Sequence, residues 1–363
     1  MFLLELLIPI LSFLICVAYY TLAERKIIAY IQRRKGPNIV GFWGILQPII
    51  DGIKAVLKEQ TKPLRNIFYF FILAPFLCFL ISLTLLNFIS FQYTRGYFDE
   101  YLNMIFFLAI SSFNVFGLIL AGWSSNSKYA LLGGIRGAAQ IFSFEMCFIT
   151  LLLPLFLLNS TFNVIDIIIF QKNYWNVFLF FPTSIYFFII ILAETNRIPF
   201  DLPEAEAELV AGYNVEYSAI NFAVFFLAEY TNMLLNSFIF IFFFYGSFYH
   251  HHHFLIKCLL GYFNIKTLGS YNTYYLISYI LNVFFLNIKV VIIACLFILI
   301  RALLPRYRFD QLMNMCWKKI LPVSFSFFLF FICFIYNCNG LLYNLEINLL
   351  GNPLFHLYIF SNI

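Results

Sequence analysis

Charge is what this sequence has least of. Only 11% of its 363 residues are charged, 22 basic and 17 acidic, where a soluble domain carries about 25%. A globule in water with so few charges and 63% of its residues apolar would expose large adhesive patches. A soluble enzyme, a disordered chain and a disulfide-knit secreted module are excluded on that ground. Cysteine motifs are missing too. No two of the eight cysteines form Cys-x-x-Cys, and the closest pair, Cys333 and Cys338, is too widely spaced for a typical cluster or zinc half-site. They read as packed or lipid-facing thiols, since free cysteine behaves as a small hydrophobe. Gly133-Gly134-Ile135-Arg136-Gly137 is followed by no Gly-Lys-Ser/Thr and is not a phosphate loop. No catalytic triad and no His/Cys metal set is visible. The start, Met1-Phe-Leu-Leu-Glu5, has neither the basic region and cleavage site of a secretory signal nor the Arg/Ser-rich look of a transit peptide. It is expected to open a retained first helix.

What is present is long apolar runs. A spanning helix takes about 20 mostly apolar residues. Such runs lie near 2–22, 67–90, 102–121, 140–158, 177–193, 218–245, 283–300 and 320–336. A β-barrel would read instead as alternating ten-residue segments. The expected fold is therefore all-α, a polytopic transmembrane helical bundle of about eight spans. It reads as a single integral membrane domain over 1–363, with a core to about residue 335 and an extended tail over 336–363. No internal repeat or low-complexity linker is visible. The skew toward phenylalanine, 50 residues, and toward Ile, Tyr and Asn points to an AT-rich coding genome, as in organelles.

Lys and Arg set the orientation. The alternate loops 24–65, 122–140, 194–216 and 301–319 hold 17 of the 22 bases. The opposite side holds Arg95, Lys172, Lys257 and Lys266, with Lys289 near the start of the seventh span. The four basic loops are expected inside and both termini outside. These bases flank membrane segments, so nothing points to nucleic acid. Within the first inner loop, Ile49, Ile50, Ile53, Val56 and Leu57 fall at helical spacing opposite Asp51, Lys54, Lys58 and Glu59. That is the pattern of an amphipathic helix in the membrane interface, expected over 45–60. His250 to His253 form a run in an outer loop. Consecutive residues of a helix do not converge on one ligand, so the run reads as a solvated patch, and no metal site is expected.

The chemistry concentrates elsewhere. Glu194, Asp201, Glu204, Glu206, Glu208 and Glu216 crowd around one base, Arg197. Pro199 and Pro203 forbid one continuous helix there. Asp201-x-x-Glu204 has the form of a variant capping box, and a helix after it would set Glu204 and Glu208 one turn apart, like charges on one face. Such crowding raises some carboxyl pKa values and lets sites share protons. Two further acids stand alone in apolar runs, Glu145 in the fourth span and Glu229 in the sixth. An intramembrane acid costs several kcal/mol and by default marks an ion or proton path. Glu229, Asn232 and Asn236 make a polar stripe on one helical face.

Several segments together resemble a known family. They are Tyr20-Thr-Leu-Ala-Glu24-Arg25-Lys26, Gln32-Arg-Arg-Lys-Gly36-Pro37-Asn38, Leu46-Gln47-Pro48, Gly122-Trp123 through Lys128 to Arg136 and Glu145, Ala193-Glu194-Thr195-Asn196-Arg197 through Glu216-Tyr217, and Arg301-Ala-x-x-Pro305-Arg306-Tyr-Arg308-Phe-Asp310-Gln311. The resemblance, over about residues 1–335, is to subunit 1 of NADH:ubiquinone oxidoreductase, respiratory complex I. It implies a core membrane subunit of a proton-pumping enzyme, with ubiquinone as substrate and no flavin or iron–sulfur cluster in this chain. By the same resemblance, Glu24, Arg25, Arg34, Asp51 and Arg197 line or gate a quinone tunnel. Glu145, Glu194, Asp201, Glu204, Glu206, Glu208, Glu216 and Glu229 form a proton or coupling path. Implied partners are the other complex I subunits and lipids such as cardiolipin. The implied location is the mitochondrial inner membrane, or a bacterial plasma membrane. The outer loop from Gly246 to Asn282 and the tail depart from the family pattern by their length. The rival reading, a stand-alone ion or solute transporter, calls for an inverted repeat and paired broken helices, and neither is visible.

Overall fold

The computed structural model describes residues 2–61, 63, 66–88, 102–159, 161–171, 175–203, 212–247 and 271–346. Glu204, Glu206, Glu208, the histidine run and the tail beyond Glu346 lie outside the described residues. Among the described residues every regular element is helical. Helix α1 (Phe2–Ile31) is followed by a 3₁₀ turn at Phe42–Gly44 and the short α2 (Gln47–Leu57). Then come α3 (Phe68–Leu86), α4 (Asn103–Ser112), α5 (Asn114–Ser124) and α6 (Lys128–Asn159). The short α7 (Val164–Phe170) and α8 (Asn176–Leu179) precede α9 (Phe181–Glu194) and α10 (Ala219–Phe244). Last are α11 (Tyr271–Leu303), α12 (Phe309–Met315), a π turn at Cys316–Ile320, and α13 (Leu321–Glu346).

Apolar runs become helices here because a helix satisfies its own backbone where no water is available. Among the described residues six segments are long and apolar enough to cross a membrane: α3, the joined α4–α5, α6, α10, α11 and the joined α12–α13. The two remaining expected spans fall on α1 and on α9, a shorter apolar helix of 14 residues. The interfacial helix forms as α2, with Ile49, Ile53, Val56 and Leu57 exposed along it.

Several helix boundaries differ from the sequence reading. Helix α6 starts at Lys128, inside the expected loop 122–140; α11 starts at Tyr271, inside the expected outer loop; α12 occupies part of the expected loop 301–319. The first difference has a packing cause. Gly133, Gly134 and Gly137 lower apolarity and helix propensity, yet they let backbones meet. A Cβ on Gly134 would lie 2.9 Å from the Leu118 carbonyl, and one on Gly122 would lie 2.6 Å from that of Ala130. Helices α5 and α6 thus cross backbone to backbone, as small residues allow in membrane bundles.

The loops sort into two ends. At one end, Thr61 and Ser218 hydroxyls lie 2.7 Å apart, Ile67 N–H donates to Ser124 O at 3.1 Å, and Tyr307 N–H donates to Pro199 O at 3.1 Å. At the other, Gln171 donates to Phe242 O at 2.7 Å, Asn176 to Phe243 O at 2.9 Å, and Lys289 Nζ to Tyr245 O at 2.7 Å. The four basic loops thus gather at one end, as alternate crossings require. Between the ends lies an aromatic core. Phe187 of α9 packs on Phe148 of α6 at 4.8 Å and Phe244 of α10 at 5.3 Å, and Phe188 on Phe297 of α11 at 5.3 Å. A second, smaller core joins α3, α5 and α10, where Tyr217 stacks on Phe71 at 4.1 Å.

Gly133 tests the close packing. A Cβ there would meet the Gly212 and Tyr213 backbone at 2.8 Å, whereas Gly52 on α2 has nothing within 4 Å. Gly133→Ala is expected to destabilise by about 1–3 kcal/mol through overpacking, in spite of alanine's better helix propensity. Gly52→Ala is expected to be neutral or slightly stabilising. Thermal unfolding of the solubilised protein reads both, and equal midpoints would contradict the packing account.

Candidate functional site

Four separate segments deliver charge to the loop-bearing end. The last turns of α1 bring Glu24, the end of α11 brings Arg301, the α9–α10 loop brings Arg197, and α10 brings Glu229 and Tyr230. Glu24 is only 5% exposed. Its carboxylate pairs with Arg301 and accepts from the Tyr230 hydroxyl at 2.5 Å. Arg197, 6% exposed, pairs with Glu229 at 3.2 Å and lies over the Tyr230 ring at 4.5 Å. The Tyr213 hydroxyl donates to the other Glu229 oxygen at 2.7 Å. Two carboxylates and two guanidiniums therefore share one buried knot with Tyr230 in its middle. Removing charges from water costs several kcal/mol per ion, which only close pairing offsets.

The backbone around Arg197 is held from both sides. Pro199 stops helix continuation, and Asn196 adopts a left-handed φ of 52°. Gln140, fully buried on α6, donates one amide hydrogen to Ala193 O at 2.8 Å and the other to Phe200 O at 2.7 Å. Asp201 follows, buried and paired with Arg306 at 2.8 Å, while Tyr307 stacks on Phe200 at 5.5 Å. Burial pushes the Asp201 carboxyl up from its ordinary value, and the Arg306 guanidinium opposes that rise.

Two cavities flank the knot. The smaller, about 10 Å³, is lined by Tyr20, Glu24, Thr195, Arg197 and Arg301. The larger, about 60 Å³, extends between the helices and is lined by Glu194, Thr195, Glu229, Asn232 and Asn236 among others. At that volume it has room for a short string of ordered water. The stripe Glu229, Asn232, Asn236 faces this space, and Asn236 reaches Glu194 at 3.5 Å. Glu145 stands near Ser111 and within electrostatic range of Glu194.

The expected site residues thus divide. Glu24 and Arg197 meet at the knot; Glu194 and Glu229 meet at the larger cavity. Arg25, Asp51 and Arg34 stay on the outside of the same end. Arg25 pairs with Asp51 at 2.7 Å but is half-exposed, an arrangement worth little energetically. Arg34 bonds Gln32 at 2.8 Å and lines an open cleft of about 460 Å³ with Arg25, Lys35 and Pro37. Glu216 is half-buried and borders neither cavity. Sequence reasoning did not assign Tyr213, Tyr230, Arg301, Arg306 or Gln140 to the site. Both arginines carry the family resemblance, which is the one signal that pointed to them. Tyrosine in an apolar run gives none.

Arg306→Leu leaves the buried Asp201 without its counter-charge. A loss of about 1–3 kcal/mol is expected, the cost of an unsatisfied buried polar group. Burial is then opposed only by the weaker pull of Arg197 and Arg301, and holds Asp201 protonated to higher pH. The deficit should therefore grow as pH rises above the ordinary aspartate range. Thermal midpoints measured across pH 4–8 (~ the window set by carboxyl titration) check this, and a pH-independent deficit would contradict it.

Comparison with known proteins places this geometry. The family model described as NADH dehydrogenase matches residues 4–332. NADH-ubiquinone oxidoreductase chain 1 of Cyanidium caldarium is 45% identical over 317 residues, 87% of this chain and 86% of that protein. Chain 1 of Arabidopsis thaliana is 44% identical over 322 residues, 89% of this chain and 93% of that one. An NADH-quinone oxidoreductase subunit of Rickettsia conorii is 44% identical over 313 residues, 86% of each. With identity this high over nearly the whole length, the chain belongs to the NADH dehydrogenase family.

Proposed function

We propose that the chain is the membrane subunit of an NADH:quinone oxidoreductase in which the loop-bearing end receives the quinone and the interhelical cavity starts a proton path. The observation that carries the reading is the shared knot. Glu24 with Arg301 and Glu229 with Arg197 meet around Tyr230; Glu24, Arg301 and Arg197 line the smaller cavity and Glu229 the larger. Glu24, Arg25, Arg34, Asp51 and Arg197 form the quinone-facing set. Glu145, Glu194, Asp201, Glu204, Glu206, Glu208, Glu216 and Glu229 form the proton-handling set. The names of the relatives support a quinone as substrate and other subunits of the same complex as partners. Cardiolipin and similar lipids would cover the apolar belt. The location is the mitochondrial inner membrane, with a bacterial plasma membrane as the alternative and the basic loops inside.

The mechanism is electrostatic. Reducing a quinone to a quinol takes up two electrons and two protons. Charge arriving near Glu24 and Arg301 changes how strongly Arg301 and Tyr230 hold that carboxylate. Tyr230 also carries the face on which Arg197 rests, so Arg197 redistributes its attraction between the Tyr230 ring and Glu229. Glu194, Asn232 and Asn236 lie along the cavity from Glu229. Gly212, at φ +61°, and the prolines at 199 and 203 interrupt helix continuation on either side of the acidic stretch.

Glu229→Gln and Glu24→Gln in the assembled complex test the assignment. Each is expected to lower quinone reductase turnover by about tenfold or more, ~1.4 kcal/mol in barrier. NADH oxidation by a soluble acceptor that bypasses quinone should stay unchanged. Full proton pumping per NADH in Glu229→Gln would remove the proton path as drawn.

A further inference from the structure

Six cysteines are described as free thiols, and two of them face each other. Cys147 on α6 and Cys316, the first residue of the π turn, are both fully buried, with their sulfurs 3.5 Å apart. The Cys316 thiol donates to Ser143 O at 3.3 Å, one turn before Cys147. Ser143 in turn directs its hydroxyl to the Met313 sulfur at 3.8 Å. A turn above, the Thr150 hydroxyl donates to Ser324 at 2.7 Å. These contacts fix the register of α6 against the α12–α13 segment and hold the two sulfurs near van der Waals contact. Among the described residues no other pair of cysteine sulfurs is in hydrogen-bond range. The π turn falls at the same place, and such wide turns sit at functional positions more often than chance.

We propose that Cys147 and Cys316 are a site of reversible disulfide formation, oxidised by a small uncharged hydroperoxide. The sulfurs have to close from 3.5 Å to about 2.05 Å. The chemistry balances with hydrogen peroxide as oxidant. One thiol loses two electrons to the peroxide O–O bond, giving a sulfenic acid and one water. The second thiol then attacks that sulfur, the S–S bond forms, and hydroxide leaves with the remaining proton as a second water. Two thiols and one peroxide yield one disulfide and two waters. Full burial selects the reagent: it disfavours a bulky anionic disulfide far more than a small uncharged peroxide. The bond would tie the helix bearing Gln140 and Glu145 to the end of α12, the helix that follows Arg306.

The test uses membranes holding the assembled native protein. They are treated with hydrogen peroxide up to millimolar concentration, remaining thiols are alkylated, and peptides are read by mass spectrometry. The expected result is a peptide joining Cys147 to Cys316 that forms in most molecules and disappears with dithiothreitol. Ellman's reagent, bulky and anionic, is expected to leave both cysteines unmodified. Cys147→Ser and Cys316→Ser should each abolish the cross-link, but the native protein decides the matter without them. Recovery of both cysteines as separate alkylated or sulfinic peptides throughout the peroxide range would overturn the proposal. So would a cross-link from either cysteine to a different one. Neither thiol touches the Glu24–Arg197 knot, so failure here would leave the proposed function standing.

Discussion

A charge taken into an apolar bundle has to bring its counter-charge with it. In this protein that constraint organises the whole loop-bearing end. Glu24 and Arg301 are 277 positions apart, and Asp201 and Arg306 are 105 apart. Each pair therefore closes a large part of the chain on itself. Remove the pairing and α1, α10, α11 and the α9–α10 loop lose their common reference. Tyr230 gives the knot its compactness. Its hydroxyl serves Glu24 while its ring carries Arg197, so one side chain belongs to two ion pairs.

Packing supplies what charge does not. The main core is built largely from phenylalanine, whose rings meet tilted or edge-on between α6, α9, α10 and α11. Those geometries suit the aromatic quadrupole. Glycine works in the opposite way, by bringing backbones together where α6 meets α5 and the Gly212 turn. The polar site lies where these two modes of packing adjoin. Its larger cavity is walled by Phe107 and Phe225 as well as by Glu194 and Glu229.

Much of the architecture was legible in the sequence because hydrocarbon imposes a length on any crossing segment. The amphipathic α2 and the stripe Glu229, Asn232, Asn236 were legible for a similar reason, since helical spacing determines which residues share a face. The 128–140 stretch was not. Its glycines look like loop residues until their backbone partners are known. Pairings also stayed hidden. Arg301 and Arg306 stood out in the family pattern, but nothing local connects either to an acid a hundred or more residues away. Cys147 and Cys316 read as unrelated packed thiols, and Lys289 read as a membrane-flanking base. In the fold Lys289 is half-buried and holds the carbonyls of Tyr245 and Ser247. Such contacts belong to the tertiary structure alone.

The far end of α10 has a mechanical meaning. Gln171, Asn176 and Lys289 come from three different elements and occupy the carbonyls of Phe242, Phe243 and Tyr245. Backbone groups buried there have no water to exchange with, so that end is an anchored fulcrum. The opposite half of the same helix carries Glu229 and Tyr230, held by ion pairs and a ring contact. In the proposed function such a rod would serve as a lever, its backbone pinned beside Trp175 and its free arm ending where the carboxylates sit, so that a small change in charge balance would be felt at the cavity wall.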